Sequence, residues 1–422
     1  MPLKRELGLF STTLYGTGVI IGAGIYALIG VGAGLAGNML WAAFLISAAI
    51  AIFTGLSYAE LSSMFPKEAA EYTYTRKAFK KEVLSFAVGW LLAIGTVIAA
   101  STVALGFAGY FSALFGGEPK LIAAGLILVM TALNYIGIKE SAMFNNFSSV
   151  LEILGLLIVV AIGFVIASPM PVHADLFQMP ATGFAGIMAA VSVIFFAYIG
   201  FENVANMAEE VKESRKIVPK ALLLSLAIST VLYMLVAIAS VSRVGWEALS
   251  QSKAPLMLVV SDALGPYAVV MSFIALFATA NTALIFLIAS SRMLYGMAHK
   301  GSLSPGFSLI GSRGTPYLSV LLVGLVAAAV SYATDIKTVA QMADLAVFMA
   351  YLAVNAVLIV LAGSKLKREF MSPRVFGIPV LAYLGVISAF IMLLHFELNM
   401  WLMEVVVLGV GATLFLMNKR SR

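Results

Sequence analysis

A Gly-Ala-Gly segment interrupts the first long apolar run of the chain. Gly22, Ala23 and Gly24 lie within the run 10–35, with apolar residues on both sides. Glycine destabilises a helix interior by about 1 kcal/mol relative to alanine and permits a backbone turn. A helix broken here would expose peptide N–H groups, which bind anions such as carboxylates at helix starts. Close packing of two helices is the alternative interpretation of these glycines.

A second interruption stands in the apolar run 184–206. Gly200 is followed by Phe201, Glu202 and Asn203, so a carboxylate and an amide enter an apolar segment. If the first run crosses a membrane in one direction, the sixth run crosses it in the opposite one. Two interruptions in matching places of oppositely directed crossings are typical of inverted-repeat transporters, whose binding site lies at the midplane. We therefore predict a small-molecule site between the two runs.

Three polar residues inside apolar runs are candidates for ion coupling, because a charge within a bilayer costs several kcal/mol. Glu202 either caps amides of the neighbouring half-helix or is a titratable group in coupling or pH sensing. Glu152 either carries a proton, attracts sodium or a cationic substrate, or lies at the membrane interface and reaches water. Asn281 either joins two helices by a hydrogen bond or belongs to the same ion site as Glu152.

The composition excludes an ordinary soluble protein. Of 422 residues, 62% are hydrophobic and 11% are charged, and the mean hydropathy is +1.03, whereas soluble domains carry about 25% charged residues. The absence of cysteine excludes disulfides and thiolate metal sites, and three histidines provide no metal-ligating cluster. We predict an all-α membrane protein with twelve transmembrane helices, because twelve apolar runs approach or exceed the roughly 20 residues that such a helix needs. The runs are 10–35, 39–63, 84–113, 121–137, 147–167, 184–206, 219–242, 266–297, 316–333, 341–363, 377–395 and 398–417.

The basic residues set the expected orientation. With the N-terminus inside, 22 of the 26 Lys and Arg residues fall in inner segments, and only Lys120, Arg243, Lys253 and Lys337 fall outside. This asymmetry follows the positive-inside rule and places both termini in the cytoplasm. The charge of +6 lies in short loops, which argues against nucleic-acid binding. The start of the chain lacks a cleavage region, so we expect the first helix to be retained.

The chain resembles the amino acid–polyamine–organocation superfamily of secondary transporters over nearly its whole length. The segments that carry the resemblance are Gly22-Ala23-Gly24-Ile25-Tyr26, Tyr58-Ala59-Glu60-Leu61, Phe65-Pro66, Phe195 to Glu202, Ala208-Glu209-Glu210, Pro219, Ser291-Arg292-Met293-Leu294-Tyr295 and Thr315-Pro316. The resemblance implies a LeuT-type five-plus-five inverted repeat followed by two C-terminal helices. Residues 1–167 would form the first repeat, 168–363 the second, and 364–422 the last two helices with a cytoplasmic C-terminus.

The resemblance also implies an amino acid site made of backbone and side-chain groups. Peptide amides of the first interruption would hold the substrate carboxylate, carbonyls of the second would receive its ammonium group, and side chains beside both would line the pocket and gate it. The amides belong to Gly22, Ala23 and Gly24; the carbonyls to Phe196, Ala197 and Ile199; the pocket to Ile21 and Phe196, with Ser101 and Thr102 as polar contributors; the gate to Phe195 and Phe196. Proton-coupled relatives carry a lysine where this chain has Glu152.

We expect a secondary active transporter of neutral or aliphatic amino acids that works by alternating access in a prokaryotic plasma membrane, as a monomer or homodimer. Transport would be proton-coupled or an exchange. The alternatives are a cationic amino acid or polyamine transporter or antiporter of the same fold, and a sodium-coupled symporter. The sequence contains no P-loop, no intramembrane catalytic constellation and no repeated pore motif, so an ATP-driven pump, an enzyme and a channel are less favoured. No cofactor or metal is expected.

Overall fold

The computed structural model describes residues 7–66, 70–136, 138–166, 175–208 and 210–420. Within these ranges the ordered elements are helices, apart from isolated β-bridges between Leu7 and Val211 and between Val375 and Ile378. The predicted repeat boundary between residues 167 and 168 lies outside the described residues. Glu209 of the segment Ala208-Glu209-Glu210 also lies outside them.

Sixteen α-helices make up the described fold, and short 3₁₀ segments join several of them. They are α1 (Leu9–Ile21), α2 (Ala23–Ala36), α3 (Leu40–Met64), α4 (Ala70–Phe79), α5 (Glu82–Phe115), α6 (Pro119–Ile136), α7 (Ile138–Ala161), α8 (Phe184–Ile194), α9 (Glu202–Asn206), α10 (Ser214–Gln251), α11 (Pro255–Leu264), α12 (Val269–His299), α13 (Tyr317–Ala333), α14 (Ile336–Leu361), α15 (Val380–Leu393) and α16 (Leu398–Arg420). Each of the twelve predicted apolar runs overlaps helical structure in this set.

Length and apolar composition identify 9 helical stretches within the described ranges that could cross a membrane. The first stretch, Leu9–Met64, is 56 residues long and contains α1, α2 and α3, because the break at Gly22 and the turn before Leu40 are short. Two further apolar helices, α13 and α15, have only 17 and 14 residues. The chain is therefore an all-helical protein of the membrane type.

The outer surface of the helices carries large apolar side chains. Val405 of α16 is 62% exposed and Leu325 of α13 is also 62% exposed. Lipid tails can cover such side chains, and helices satisfy their own backbone hydrogen bonds in hydrocarbon. The helices around the second interruption are the more buried, since 83% of the apolar window in 184–206 lies inside the protein, against 22% in 398–420.

The helix pairs around the interruptions determine where a site can form. Helix α5 packs along α12 and α14, and α10 packs along α1 and α3. The start of α1, the end of α3 and the start of α10 share one end of the bundle, which we call the N-terminal face. There, Leu7 bonds to the backbone of Glu210 and Lys212, and the Arg215 guanidinium donates to the Ser63 carbonyl.

Candidate functional site

The first predicted interruption is present. Helix α1 ends at Ile21, Gly22 adopts φ −25° and ψ −148°, and α2 begins at Ala23. A Cβ atom on Gly22 would collide with Thr282 Oγ1 on α12, so close approach requires glycine at this position. The Ala23 amide donates to Thr282 Oγ1 at 2.8 Å. One of the amides predicted for a carboxylate is therefore hydrogen-bonded to a side chain that the sequence analysis did not identify.

The second predicted interruption is also present. Helix α8 ends at Ile194, a 3₁₀ segment covers Phe195–Tyr198, and α9 begins only at Glu202. Gly200 has φ +120°, a conformation that side-chain-bearing residues rarely adopt. A Cβ atom there would also lie 2.8 Å from Val19 Cγ1 on α1. The glycine therefore allows the second break to turn against the first.

The two breaks are in direct contact. A Cβ atom on Gly24 would collide with the Cα atom of Ala197, so the backbones meet without an intervening side chain. The hydroxyl of Tyr233 on α10 lies within hydrogen-bond distance of the carbonyl oxygens of Ile20 and Ala197, the latter at 2.9 Å. A single hydroxyl thus joins the end of α1 to the 3₁₀ segment. Tyr233 was not predicted, because its partners are distant in sequence.

The predicted pocket side chains next to the breaks are buried aromatic and aliphatic groups. Ile21 is fully buried and Phe196 is 2% exposed. The Phe196 ring lies 6.3 Å from the ring of Phe286 on α12, and the Phe195 ring lies 4.3 Å from that of Phe348 on α14. These rings surround the second break with apolar surface.

Ser101 and Thr102 of α5, the predicted polar contributors to the pocket, donate hydrogen bonds to helix carbonyls away from the two breaks. The Ser101 hydroxyl donates to the Ala327 carbonyl on α13 at 2.8 Å. The Thr102 hydroxyl donates to the Ile98 carbonyl of its own helix at 3.3 Å. In this conformation both hydroxyls complete helix contacts.

Glu152 and Asn281 lie together beside the first break. Asn281 Nδ2 donates to Glu152 Oε1 at 2.9 Å, and the Tyr26 hydroxyl donates to the Glu152 carbonyl at 2.6 Å. Glu152 is 0% exposed, which excludes the interpretation that it reaches interfacial water in this conformation. Within the described ranges, Glu152 Oε2 and Asn281 Oδ1 have no hydrogen-bond partner. The pair therefore leaves two buried acceptors unsatisfied.

Glu202 lies at the start of α9 and caps the second break. Its Oε2 accepts a hydrogen bond from the Gly200 amide at 3.0 Å and another from the Tyr351 hydroxyl at 2.9 Å. The capping role that the sequence allowed is thus present in the geometry. This contact does not exclude titration, since the carboxylate is buried among partners that can also bond its neutral form.

A further buried carboxylate, Asp344 of α14, lies beside the second break. It is 0% exposed, and the peptide group of Phe196 is next to it. Neither carboxylate oxygen has a hydrogen bond of normal geometry within the described part of the chain. The sequence signal was available, because an aspartate inside the apolar run 341–363 is costly, but its partners could not be inferred.

A cavity of about 150 Å³ leads toward the first break from the face opposite the N-terminal face. Tyr26, Gly106 and Tyr110 line it together with Lys253, which precedes α11. A cavity of this size can hold a molecule as large as benzene. Because the Tyr26 hydroxyl bonds to the Glu152 carbonyl, one wall of this cavity contacts the Glu152 segment.

Comparison with known proteins adds the family to this geometry. A family model described as amino acid permease matches residues 7–417. The branched-chain amino acid permease BcaP of Bacillus subtilis is 30% identical, with 99% of this chain and 94% of the relative covered. The methylthioribose transporter of the same organism is 31% identical with the same coverage. The human cationic amino acid transporter 4 is 29% identical, covering 86% of this chain and 60% of the relative.

Proposed function

Because this chain belongs to the amino acid permease family, we propose that it is a secondary active transporter that carries neutral, mainly aliphatic, amino acids by alternating access. The observation that carries this proposal is the direct contact of the two helix breaks, Gly22–Gly24 against Phe196–Gly200. The buried apolar side chains Ile21 and Phe196 suit an aliphatic side chain. The similarity to a branched-chain amino acid permease supports the same substrate class.

The proposed architecture has twelve crossings, with two inverted five-helix repeats and two trailing helices. It is supported by the two helix breaks, which fall in the first and sixth predicted crossings, because crossings five apart would run in opposite directions. We propose that the N-terminal face is cytoplasmic and that the membrane is a prokaryotic plasma membrane, since the basic residues concentrate on the segments at that face. A monomer satisfies this scheme, and a homodimer is compatible with it.

In this proposal the substrate bridges the helix ends. The start of α2 provides partial positive charge and free N–H groups for the carboxylate, and the ends of α1 and the 3₁₀ segment provide carbonyls for the ammonium group. The Thr282 hydroxyl would release the Ala23 amide, and the Tyr233 hydroxyl would release the Ile20 and Ala197 carbonyls, as the substrate enters. In this proposal Thr282 and Tyr233 hydrogen-bond to the same backbone groups that the substrate would contact.

We propose a proton as the coupling ion and Glu152 as its binding group. When Glu152 is protonated at Oε2, this O–H group can donate a hydrogen bond to Asn281 Oδ1. That bond would satisfy both unpartnered atoms of the pair. A sodium ion would require several further oxygen ligands. Relatives carry a lysine at this position, whose loss of a proton leaves a neutral amine, whereas loss of a proton from Glu152 leaves a carboxylate, so the proton would bind to an anionic group and neutralise it.

Transport into proteoliposomes tests this function. The purified protein is expected to exchange radiolabelled leucine, and unlabelled alanine and leucine are expected to compete strongly. Replacing external sodium by choline is expected to leave the rate unchanged, while a proton gradient is expected to accelerate uptake. Competition by arginine or putrescine without competition by alanine or leucine would overturn the substrate class, and strict dependence on sodium would overturn the coupling ion.

A cationic amino acid or a polyamine is the second candidate substrate, and Asp344 favours it. A buried carboxylate that forms no hydrogen bond of normal geometry within the described residues can pair with a cationic substrate. Its position beside the Phe196 peptide group places this charge next to the second break. The similarity to the human cationic amino acid transporter 4 supports the same alternative.

The Asp344→Asn variant decides between the two candidates. If the natural substrate is cationic, arginine or putrescine should raise the thermal unfolding temperature of the wild type, and the variant should lose at least about tenfold in affinity for them, or about 1.4 kcal/mol. If the substrate is neutral, leucine should stabilise both proteins to similar extents. A wild type that arginine and putrescine leave unchanged would contradict the second candidate.

A further inference from the structure

Glu71 at the start of α4 is a buried carboxyl group to which the transport scheme has so far given no role. It lies near the N-terminal face, outside the apolar stretches, and its residue is 2% exposed. The Tyr58 hydroxyl of α3 donates to Glu71 Oε1 at 3.0 Å. Among the described residues it forms no ion pair. A carboxyl group in this setting requires either neutralisation or a function.

The segment around Glu71 joins α4 to the half-helix that follows the second break. Asn206, the last residue of α9, accepts a hydrogen bond from the Ala70 amide at 2.9 Å, and its side chain lies next to the Glu71 carboxyl group. Helix α4 leads into α5, whereas α3 and α9 adjoin the breaks. These contacts of Glu71 with Tyr58 and Asn206, which we call the closure, join α4 to α3 and α9 at the N-terminal face.

A second carboxyl group lies on the other side of a tyrosine pair. The Tyr351 hydroxyl donates to Glu202 Oε2, and the rings of Tyr58 and Tyr351 are 5.9 Å apart. Glu202 and Glu71 are close enough to repel each other when both are ionised. The closure thus contains two acidic groups separated by two phenols.

The ionisable side chains around Glu71 come from α4 itself and from neighbouring segments of the chain. They are Tyr58 of α3, Glu202 of α9, Lys300 beyond α12, Tyr351 of α14, and Tyr72 and Tyr74 of α4. Helix α5 also lies beside Glu71, where its Gly89 carries no ionisable group. Burial, followed by the repulsion of Glu202, raises the pKa of Glu71 to about 7. The proton of Glu71 is therefore exchangeable near neutral pH.

A small cavity gives this carboxyl group a route to water. It has a volume of about 20 Å³, and Glu71, Met297 and Lys300 are among its lining residues. A volume of about 10–15 Å³ is sufficient for one water molecule. The cavity lies at the loop end of α12, on the N-terminal face, so a proton leaving Glu71 would enter the solvent of that side.

We propose that Glu71 is a second proton-binding group, which exchanges its proton with the N-terminal face and controls the opening of that face. With Glu71 neutral, the contacts to Tyr58 and Asn206 hold the closure. When the proton passes to water, the carboxylate repels Glu202 across the tyrosine pair, and the closed arrangement loses stability relative to the open one. This inference depends on the proposed transport function and on the cytoplasmic assignment of the N-terminal face.

The test is leucine exchange by oriented proteoliposomes, with the pH varied from about 5 to about 9 on the side of the N-terminal face and fixed on the other. The wild-type rate is expected to rise with this pH, with a midpoint near the pKa of Glu71. The Glu71→Gln variant retains the acceptor for Tyr58 and should keep the low-pH rate throughout. Glu82→Gln, at an exposed carboxylate of the same face, is the matched control and should follow the wild type.

Tyr58→Phe separates a titrating role from a structural one. The Tyr58 hydrogen bond favours the ionised form of Glu71, so its loss should move the midpoint to higher pH without flattening the profile. A contact that only supports the fold would not produce this shift. An unchanged profile in Glu71→Gln, beside active wild-type exchange, would overturn the proposal.

Thermal unfolding provides a readout that does not require transport. Because the pKa of Glu71 is raised from 4.5 to about 7, its stabilising contribution is complete below the unfolded value and is lost as pH rises through the folded value. The unfolding temperature of the wild type should therefore fall more steeply across this window than that of Glu71→Gln. Parallel curves would refute the titration of Glu71, whereas a wild type that exchanges no amino acid but shows this difference would refute the proposed substrate and retain the titration.

Discussion

Two fully buried glutamates, Glu60 and Glu152, differ in how their oxygens are satisfied. Glu60 Oε1 accepts hydrogen bonds from Arg368 and Arg374, each at 2.6 Å, and its Oε2 accepts two from Ser372, at 3.0 Å from the amide and 2.6 Å from the hydroxyl. Glu152 has a single side-chain hydrogen bond, from Asn281, and one oxygen without any partner in the described ranges.

This contrast supports our proposal that Glu60 has a structural role and that Glu152 binds the coupling proton. Buried polar groups in folded proteins are nearly always hydrogen-bonded, so an unsatisfied one requires an explanation. Glu60 fastens the loop between α14 and α15 to the end of α3, and it has no capacity left for a ligand. Glu152 lies beside the first helix break, and its Oε2 can bind a proton. Both residues are equally buried, so the number of hydrogen-bonded oxygens, and not burial, distinguishes them.

Replacing Glu60 should have the largest effect on stability. Glu60→Ala leaves two guanidinium groups beside a buried cavity, and breaking a buried ion pair from one side costs about 3–5 kcal/mol. We expect a large fall in the thermal unfolding temperature and in the yield of folded protein. The pH dependence of exchange by the remaining folded fraction should be unchanged. A variant as stable as the wild type would show that the hydrogen bonds of Glu60 do not hold the loop between α14 and α15.

Replacing Asp335 should have a smaller effect, since it is a satisfied carboxylate at an exposed helix start. Its side chain accepts hydrogen bonds from Lys337 and Thr338 at the beginning of α14. Partial burial raises the pKa of Asp335, but these hydrogen bonds outweigh it and hold the pKa below its usual value. Asp335→Ala should cost about 1 kcal/mol of stability.

The pH dependence of that cost gives a further check. Because the pKa of Asp335 is lowered on folding, the stabilisation is present above the unfolded pKa and is lost as the pH falls through the folded pKa. The difference in unfolding temperature between wild type and Asp335→Ala should therefore shrink on acidification. A difference that stays constant down to low pH would contradict the capping interpretation.

Replacing Glu152 should have the smallest effect on stability and the largest on coupling. A glutamine can keep the acceptor for Asn281 Nδ2 and add a donor for Asn281 Oδ1, so Glu152→Gln should be as stable as the wild type or slightly more stable. Uptake should lose its dependence on the proton gradient, while exchange at equal pH continues. The measurement is uptake and exchange in proteoliposomes over a pH series, and an unchanged pH profile would remove Glu152 from the mechanism.

The sequence predicted both helix breaks because their causes are local. Gly22 and Gly24 stand within an apolar run, and Gly200 precedes a carboxylate, so each segment carries its own signal. The sequence also indicated Asn281 as a possible neighbour of Glu152 in one ion site, with a hydrogen bond between helices as the alternative; the structure has Asn281 donating to Glu152. The repeat boundary stays a prediction.

The partners of the breaks could not be predicted, because they depend on tertiary packing. Thr282 is 259 residues from Ala23, and Tyr233 is 213 residues from Ile20. A threonine or tyrosine in a helix has no sequence signal for the face on which it lies. The Ser101 hydroxyl donates a hydrogen bond to the Ala327 carbonyl of α13, and its place in the substrate pocket stays a prediction.

The most direct test of the central claim, that the two breaks form the amino acid site, is substrate protection of a single introduced cysteine. The chain has no cysteine of its own, so a reagent for thiols reacts with Ala197→Cys without background, and Ser85→Cys at a buried serine near the start of α5 is the control. We predict that leucine slows the reaction of a methanethiosulfonate reagent with Ala197→Cys by about tenfold at saturation and leaves Ser85→Cys unaffected. Equal labelling rates of a transport-active Ala197→Cys variant with and without leucine would contradict the claim.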